Sequence, residues 1–369
     1  MKIGILSMQR VNNYGSFLQS YALKKILEEM GHEIVFIDIE FSNKKKLAPH
    51  IKRSSKILSK TKYLDKYLFK RLILKKKNKQ LNETFRFYQK KYFNLDEELR
   101  GVGDCDAVVI GSDEIFNCDP NCKWGITGQR FGNIAGVPLV FTYAASCGYS
   151  QCTDVSVEDR ELIRVALSKL KGVSVRDKNT ELFVNYFIES DLHVNLDPVL
   201  IYNFEDELKM GILEGIPNEP YMLIYAYHNR ISSAVEIKAI KRYAKENKLK
   251  TIAIGGSLPW CDEFAVISPF QVLGYFKMAT CIVTDTFHGT VLAAKYNKPL
   301  AVLIRDSNYN KLGDLVQRIH ILNHQVKNLE DIDNVLSILD NYEYCNYIIR
   351  EEQNHTIEYL KNIVGIYTK

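Results

Sequence analysis

The chain has 369 residues, enough for two domains of ordinary size, each with its own hydrophobic core. Its N-terminus enters a short apolar strand without the long apolar stretch of a signal peptide, and no apolar run is long enough to cross a bilayer. These features predict a cytoplasmic protein. The eight cysteines lack the spacing of zinc ligands, so we expect free thiols.

The positive charge is concentrated in one segment. Residues 43–80 contain fifteen Lys and Arg against one acid, Asp65, which gives the segment about +14. Since the formal net charge of the whole chain is +5, the other residues carry about −9. Apolar residues recur at helical spacing between Leu64 and Leu74, so we predict a helix with a basic polar face.

Two interpretations of this basic insertion stay open. One is a solvated helix, and the other is a patch that binds an anionic membrane surface or the phosphate of an acceptor. The second interpretation places the protein peripherally at the inner face of the cell membrane. We expect no nucleic acid partner, because no aromatic platform or zinc module accompanies the basic residues.

In chain order, the first half alternates strands with helices. The strands are predicted at residues 2–7, 33–39, 106–110, 137–143, 172–175 and 193–195, and the helices at 17–30 and 156–170. The first three elements form a β–α–β unit, which is typical of a doubly wound parallel sheet. Five strand ends in this half carry polar residues or glycine, and they predict one ligand-facing rim.

After a predicted linker at residues 202–220, the pattern starts again. Strands are predicted at 221–227, 250–254, 281–283 and 300–304, and helices at 232–247, 269–278, 290–295, 312–321 and 347–364. We therefore expect two α/β domains, residues 1–205 and 206–369, with a cleft between them. The terminal helix is expected to cross back over the first domain.

The segment from Cys281 to Leu303 is where we expect the site to be centred. His288 follows a buried strand and precedes a helix, the place where open parallel sheets bind ligands. Gly289 permits close approach of the backbone, and a helix N-terminus attracts anions. Two interpretations stay open here, a functional histidine and a half-buried histidine behind a helix cap.

Several common catalytic motifs are absent from the sequence, including the phosphate-binding loop, the dinucleotide-binding glycine pattern, HExxH and GxSxG. The candidates that remain near strand ends are Asp113, Arg176, Asp285, His288 and Arg305. Arginine suits phosphate or carboxylate, and histidine suits proton transfer near neutral pH. Together they predict an anionic small-molecule substrate and acid–base transfer.

Six stretches sharpen this prediction: NNYGSFLQSYAL, VVIGSDEIFN, TYAASCG, SVRD, LDPVLI and TDTFHGTVLAAKYNKPLAVL. In this order they resemble the polysaccharide pyruvyl transferase family, from about residue 4 to residue 305 without the basic insertion. The resemblance implies an α/β fold of two Rossmann-like domains, similar to GT-B glycosyltransferases. It also implies transfer of pyruvate from phosphoenolpyruvate to two hydroxyls of a sugar, which leaves a cyclic ketal and phosphate.

The acceptor implied by the resemblance is a precursor of a cell-surface polysaccharide, such as a capsule or exopolysaccharide, and a lipid-linked form is one option. Neither a cofactor nor a metal is implied. The sugar, the ketal position and the oligomeric state stay open. Two alternatives remain: a GT-B glycosyltransferase with a nucleotide-sugar donor, and a non-catalytic protein that binds envelope polysaccharide.

The motifs also imply roles for individual residues. The resemblance implies His288 as the catalytic acid, Arg176 as a donor-binding residue, and Asn13, Tyr14, Gly15, Ser112 and Asp113 on the acceptor side. From the chemistry we expect Asp113 or Asp285 as the catalytic base, and from their positions at strand ends and the helix start we expect Thr286, Gly289 and Arg305 to bind the donor. Some members carry Arg where this chain has Thr286, so Arg305 or Lys311 is expected to supply the charge. Glu114 and Phe116 also replace a common Gln and Trp, which affects the expected acceptor specificity.

Overall fold

The computed structural model describes residues 1–42, 64–209, 213–228, 230–338 and 342–365. Most of the basic insertion, residues 43–63, lies outside the described residues. None of the helices in the described ranges has a stretch that is long and apolar enough to cross a membrane. All eight cysteines fall within these ranges, and each is a free thiol.

The first half of the chain forms a parallel sheet. Its strands are β1 (Lys2–Leu6), β2 (Glu33–Ile37), β3 (Ala107–Ile110) and β4 (Leu139–Thr142), in the order β2-β1-β3-β4. A parallel pair, β5 (Val173–Val175) and β6 (Leu192–Val194), continues beside β4 through backbone bridges. β1, β3, β4 and β5 are apolar and largely buried, as expected for strands covered by helices on both faces.

The helices of this half are α1 (Tyr14–Glu29), α2 (Leu64–Phe93), α3 (Val157–Leu167), α4 (Lys178–Phe187), α5 (Pro198–Ile201) and α6 (Glu205–Lys209). A side chain caps the N-terminus of several of them by accepting a backbone N–H bond; the capping residues are Asn13, Ser156, Asp177 and Asp197. Asp177 and Asp197 follow β5 and β6, so their caps fix where α4 and α5 begin at the carboxyl ends of these strands.

The second half forms another parallel sheet, in the order β11-β10-β7-β8-β9. Its strands are β7 (Tyr221–Ala226), β8 (Lys250–Gly255), β9 (Glu263–Phe264), β10 (Cys281–Thr284) and β11 (Leu300–Val302). Its helices are α7 (Ala234–Glu246), α8 (Gln271–Met278), α9 (Phe287–Lys295), α10 (Tyr309–Arg318) and α11 (Ile332–Leu336). The two-domain architecture predicted from the sequence is therefore confirmed.

The last helix, α12 (Glu343–Gly365), returns to the first half as predicted. The Tyr359 hydroxyl donates to the Thr142 carbonyl of β4 at 2.8 Å, and the Tyr143 and Thr356 hydroxyls lie 3.3 Å apart. The helix thus ties the end of the chain to the first sheet.

Aromatic packing joins the two halves along α1. The Tyr14 hydroxyl donates to the Ile267 carbonyl at 3.0 Å, and Phe270 packs against Phe17 and Tyr21 with ring centroids 5.6 and 4.8 Å away. These contacts are buried, so they stabilise the relative position of the two sheets.

Some element boundaries differ from the sequence prediction. α1 and α9 begin at Tyr14 and Phe287, three residues earlier than predicted, because Asn13 and Thr286 cap them. The predicted linker contains α6, whose first residue, Glu205, is where the predicted domain division falls. That division stays a prediction.

Candidate active site

A cavity of about 320 Å³ lies where the carboxyl ends of both sheets meet. This volume is near the lower end of the roughly 300–1,000 Å³ typical of small-molecule sites. The residues that line it are Met8, Val11, Asn13, Ser16, Asp113, Glu114, Asn117, Cys122, Lys123, Trp124, Tyr227, Arg230, Asp285, Thr286, Phe287, His288, Asn308 and Lys311. The cavity joins the strand-end rim predicted for the first half to the strand end that carries His288.

His288 lines this cavity from the first turn of α9. Its side chain is largely buried, and its Nε2 lies 3.4 Å from Oδ2 of Asp197, which follows β6 of the first half. Since Nε2 faces a carboxylate, Nδ1 is the ring nitrogen left for a substrate. The histidine is therefore held between the two domains and oriented by the opposite one.

Gly15 makes room for the His288 ring. A Cβ atom at Gly15 would lie 2.2 Å from Nδ1 of His288, a distance that no side chain tolerates. The close contact with His288 thus explains why the NNYGS stretch has glycine at position 15. Its predicted acceptor-binding role stays a prediction.

Asp197 was not among the site residues predicted from the sequence. Its Oδ2 accepts from Nη1 of Arg176 at 2.9 Å, and its Oδ1 caps α5 by accepting from Val199 N. Burial favours a raised pKa, but the charges of His288 and Arg176 hold the pKa of Asp197 below its ordinary value. In the sequence, the position of Asp197 after a predicted strand was the feature that could have identified it as a site residue.

Arg176 is enclosed by protein groups and does not border the cavity. Its guanidinium lies 4.1 Å from the ring centroid of Phe287, and Nη2 is 3.5 Å from Oδ1 of Asp113. Together with Asp197, these contacts place Arg176 behind His288. Its predicted role as a donor ligand stays a prediction.

The stretch VVIGSDEIFN contains Ser112 and Asp113, and Asp113 borders the cavity. Its backbone φ is 71°, and its Oδ2 accepts from Ser16 Oγ at 2.9 Å. Ser112 is fully buried and donates from Oγ to Gln19 Oε1 at 2.8 Å. The structure therefore brings Asp113 to the predicted site and holds Ser112 in the protein interior.

Asp285 forms an ion pair beneath the cavity. Its Oδ2 accepts from Arg305 Nε at 2.9 Å and lies 3.5 Å from Arg230 Nε. Burial raises the pKa of Asp285, although both arginines oppose this. Arg305 also donates to Glu236 at 2.9 Å and does not line the cavity, whereas Arg230 does. Arg230, which follows the carboxyl end of β7, was not among the residues predicted from the sequence.

Thr286 and Gly289 hold α9 against β10. The Thr286 hydroxyl caps the N-terminus of α9 by accepting from Gly289 N at 3.0 Å. A Cβ at Gly289 would lie 2.1 Å from Thr284 Oγ1, so packing already requires glycine there. The first N–H groups of α9 have no partner inside the helix, which suits an anion in the cavity. The donor-binding roles of both residues stay predictions.

Asn13 and Tyr14 have different environments. Asn13 borders the cavity and donates from Nδ2 to the Tyr227 hydroxyl at 2.8 Å, across the cleft. Tyr14 is buried in the aromatic contact between the domains. Only the first of these two predicted acceptor residues therefore borders the cavity.

A second ion pair crosses the cleft between Lys311 of α10 and Glu114, which follows β3. Burial opposes ionisation of Glu114, but the Lys311 ammonium and the Asn117 amide lower its pKa to about 2. Glu114 is one of the departures noted in the sequence. The Lys311 ammonium compensates the negative charge of Glu114.

The sequence from residue 13 to residue 307 matches the family model of the polysaccharide pyruvyl transferases. The chain belongs to this family. The match covers most of the chain and includes both sides of the cavity, so the protein is a transferase enzyme. No curated protein matches the chain.

Solved structures of similar fold include a putative UDP-N-acetylglucosamine 2-epimerase from Listeria monocytogenes. It has 11% sequence identity, covers 99% of this chain and 96% of its own, and gives a TM-score of 0.52. The UDP complex of MnaA from S. aureus has 14% identity, covers 100% and 98%, and gives 0.49. The likeness to the Listeria structure shows the fold alone: the pyruvyl transferase has two Rossmann-like domains in a GT-B-like arrangement.

Proposed function

We propose that this pyruvyl transferase takes phosphoenolpyruvate as its donor and forms a cyclic pyruvate ketal on a sugar, with release of phosphate. The observation that carries the proposal is the Asp197–His288 pair in the wall of a cavity that the Arg230 guanidinium also borders. Cationic groups suit a donor that bears both a carboxylate and a phosphate, and a positioned histidine suits proton transfer.

The donor anion lies against Arg230 and the N-terminus of α9. Arg230 borders the cavity and is 31% exposed, whereas the side chain of Arg305 is occupied by Asp285 and Glu236. Arg230 thus supplies the guanidinium that other members carry at the position of Thr286. Lys311 also borders the cavity, but Glu114 compensates its charge.

In the first step, protonated His288 gives its Nδ1 proton to the methylene carbon of phosphoenolpyruvate. The new C–H bond leaves an oxocarbenium-like centre at C2, and the oxygen of the first sugar hydroxyl bonds to it. Asp113, which borders the cavity, accepts the proton of that hydroxyl. The C2–O bond to phosphate then breaks as Asp113 passes its proton to the leaving phosphate. The second hydroxyl closes the ring at C2 and gives its proton to the now neutral His288, which restores both residues. Asp285 is the alternative base, and its ion pair with Arg305 disfavours it.

The acceptor proposed is a precursor of a cell-surface polysaccharide. It meets the donor at the first-domain side of the cavity, where Asn13 and Asp113 lie. No cofactor or metal takes part in the proposed steps, and the enzyme works in the cytoplasm.

A thermal-shift titration, followed by an assay of phosphate release with a panel of sugars and lipid-linked sugars, tests the donor. A ligand that binds only the folded protein raises its melting temperature. Phosphoenolpyruvate is expected to raise it, and the Arg230→Met variant to weaken this effect. Stabilisation by nucleoside diphosphate sugars, with none by phosphoenolpyruvate, would instead support a glycosyltransferase.

A further inference from the structure

We infer that Lys123 and Trp124 form an acceptor subsite that takes a sugar linked to a phosphate or diphosphate. The sugar ring stacks on the indole and the phosphate pairs with the Lys123 ammonium. This inference rests on the proposed function, because it identifies the acceptor end of the same cavity.

Trp124 stands between two cavities. It lines the main cavity together with His288, and it also lines a smaller cavity of about 70 Å³. The smaller cavity is bordered by Arg10 and Asp38, which form an ion pair, and by Phe41. The indole thus borders both the space beside His288 and a second, smaller space.

Lys123 is a cation without a carboxylate partner among the described residues. Its Nζ lies 5.5 Å from the ring centroid of Trp124 and 5.9 Å from that of Phe41. It lines both cavities and is exposed. In contrast, Lys311 is paired with Glu114 and Arg230 lies beside Asp285. Lys123 is thus available to an anion that enters after the donor.

A buried arginine holds the loop that carries these two residues. Arg130 is fully buried and donates to the carbonyls of Ile115 at 2.8 Å, Asn117 at 2.7 Å and Gly125. The Trp124 carbonyl accepts from Ser42 N at 2.8 Å. A loop anchored on both sides of the indole presents a preorganised surface, which lowers the entropic cost of binding.

The chemistry of the surface selects its ligand. A hexose ring has one face of C–H groups that packs on an aromatic ring, while its hydroxyls need polar partners. Asn13 and Asn117 border the same cavity and offer such groups. A phosphate on the sugar places negative charge beside Lys123, where a neutral polymer would leave the ammonium without a partner.

Intrinsic fluorescence tests this subsite without phosphoenolpyruvate. The chain has two tryptophans, so the Trp260→Phe variant leaves Trp124 as the single reporter. The probes are the 1-phosphates of glucose, galactose, mannose and N-acetylglucosamine, together with the four free sugars. At least one 1-phosphate is expected to change the fluorescence saturably, and its free sugar to bind more weakly.

Adding Lys123→Met to this protein is expected to weaken binding of the 1-phosphate about tenfold, the effect of losing one charge-assisted contact. The matched control is Lys171→Met, an exposed lysine of the same domain at the amino end of β5. Melting temperatures establish that each variant is folded.

Three results overturn the inference. They are no saturable change with any 1-phosphate, equal binding with and without Lys123, and an equal change in a Trp124→Phe protein that reports on Trp260. In a separate titration with phosphoenolpyruvate alone, a response that requires Lys123 would assign the lysine to the donor and also overturn the inference. Because the titrations with sugar phosphates contain no donor, their failure is distinct from failure of the donor assay.

Discussion

His288 and Asp197 come from opposite halves of the chain, and Nε2 of the histidine lies 3.4 Å from Oδ2 of the aspartate. Asp197 also accepts from Arg176, whose guanidinium packs on the ring of Phe287, the residue before His288. His288, the proposed acid, is therefore oriented only when the two domains pack together. It also suggests how each residue can be tested.

We predict that His288→Ala loses most turnover and retains the fold. General acid–base catalysis typically contributes about 10²–10⁴-fold, so kcat is expected to fall by that order. The control is His324→Ala, another buried histidine, whose Nδ1 lies 3.1 Å from the Leu300 carbonyl. That variant is expected to lose about 1–3 kcal/mol of stability and to keep its turnover per folded molecule. Near-normal turnover of His288→Ala would show that the catalytic role is wrong.

We predict that Asp197→Asn lowers kcat about 10²-fold or more, because the amide does not stabilise the protonated imidazole. A positioning role also predicts an altered pH profile, since the Asp197 carboxylate faces Nε2 of His288 at 3.4 Å and the amide that replaces it carries no charge. Measuring kcat across pH beside the melting temperature separates this from simple destabilisation. A variant with a lower melting temperature but an unchanged pH profile and turnover would contradict the positioning role.

We predict that Gly15→Ala displaces His288 and impairs catalysis. The new Cβ would overlap with Nδ1 at 2.2 Å, and such overpacking costs about 1–3 kcal/mol. Helix propensity acts in the opposite direction, because alanine favours α1 more than glycine does. Gly101→Ala is the matched control, since its Cβ would meet nothing within 4 Å. Equal kcat for the two variants would argue against the close contact.

We predict that the pair of Glu114 and Lys311 contributes stability that acid removes. The pKa of Glu114 falls from 4.5 to about 2 in the folded protein, so the folded state binds fewer protons than the unfolded state in this range. Its contribution is fully present above the unfolded value and is lost as pH falls through the folded value. Melting temperatures of wild type and Glu114→Gln should differ at neutral pH and converge in acid.

Glu161→Gln is the control for this pH experiment. Glu161 also pairs with an arginine, Arg164, but both side chains are exposed, and such pairs contribute little. Its melting temperature is expected to follow the wild type at every pH. A gap between wild type and Glu114→Gln that stays constant as pH falls would contradict the prediction.

We predict that the basic insertion brings the enzyme to an anionic membrane surface. Lys75, Lys76 and Lys79 are exposed on α2, and each basic residue near such a surface contributes about 1 kcal/mol. Replacing all three with glutamine should reduce co-sedimentation with vesicles that contain anionic lipid, and salt should do the same. Glutamine at Lys238, Lys241 and Lys245 of α7, also exposed, is the control. Equal losses for both triple variants would mean that binding is not specific to α2.

Local sequence determined much of the fold and the family. Apolar runs that end in polar residues predicted the parallel strands, since strands covered on both faces must be apolar along their length. The same pattern placed Asp113, Asp285 and His288 at strand ends, and the cavity borders all three. Asn13 and Thr286 each cap a helix from within a motif, and both helices begin earlier than the sequence predicted.

Tertiary structure decided which of these residues meet. Arg176 and Arg305 are both suited to anions by side-chain chemistry, but their carboxylate partners occupy them, while Arg230 borders the cavity. Asp197 received no role from its sequence position, because its contact with His288 joins residues 91 positions apart in different domains. Sequence shows which side chains are present at each strand end, whereas packing of the two domains determines which of them remain open to a substrate.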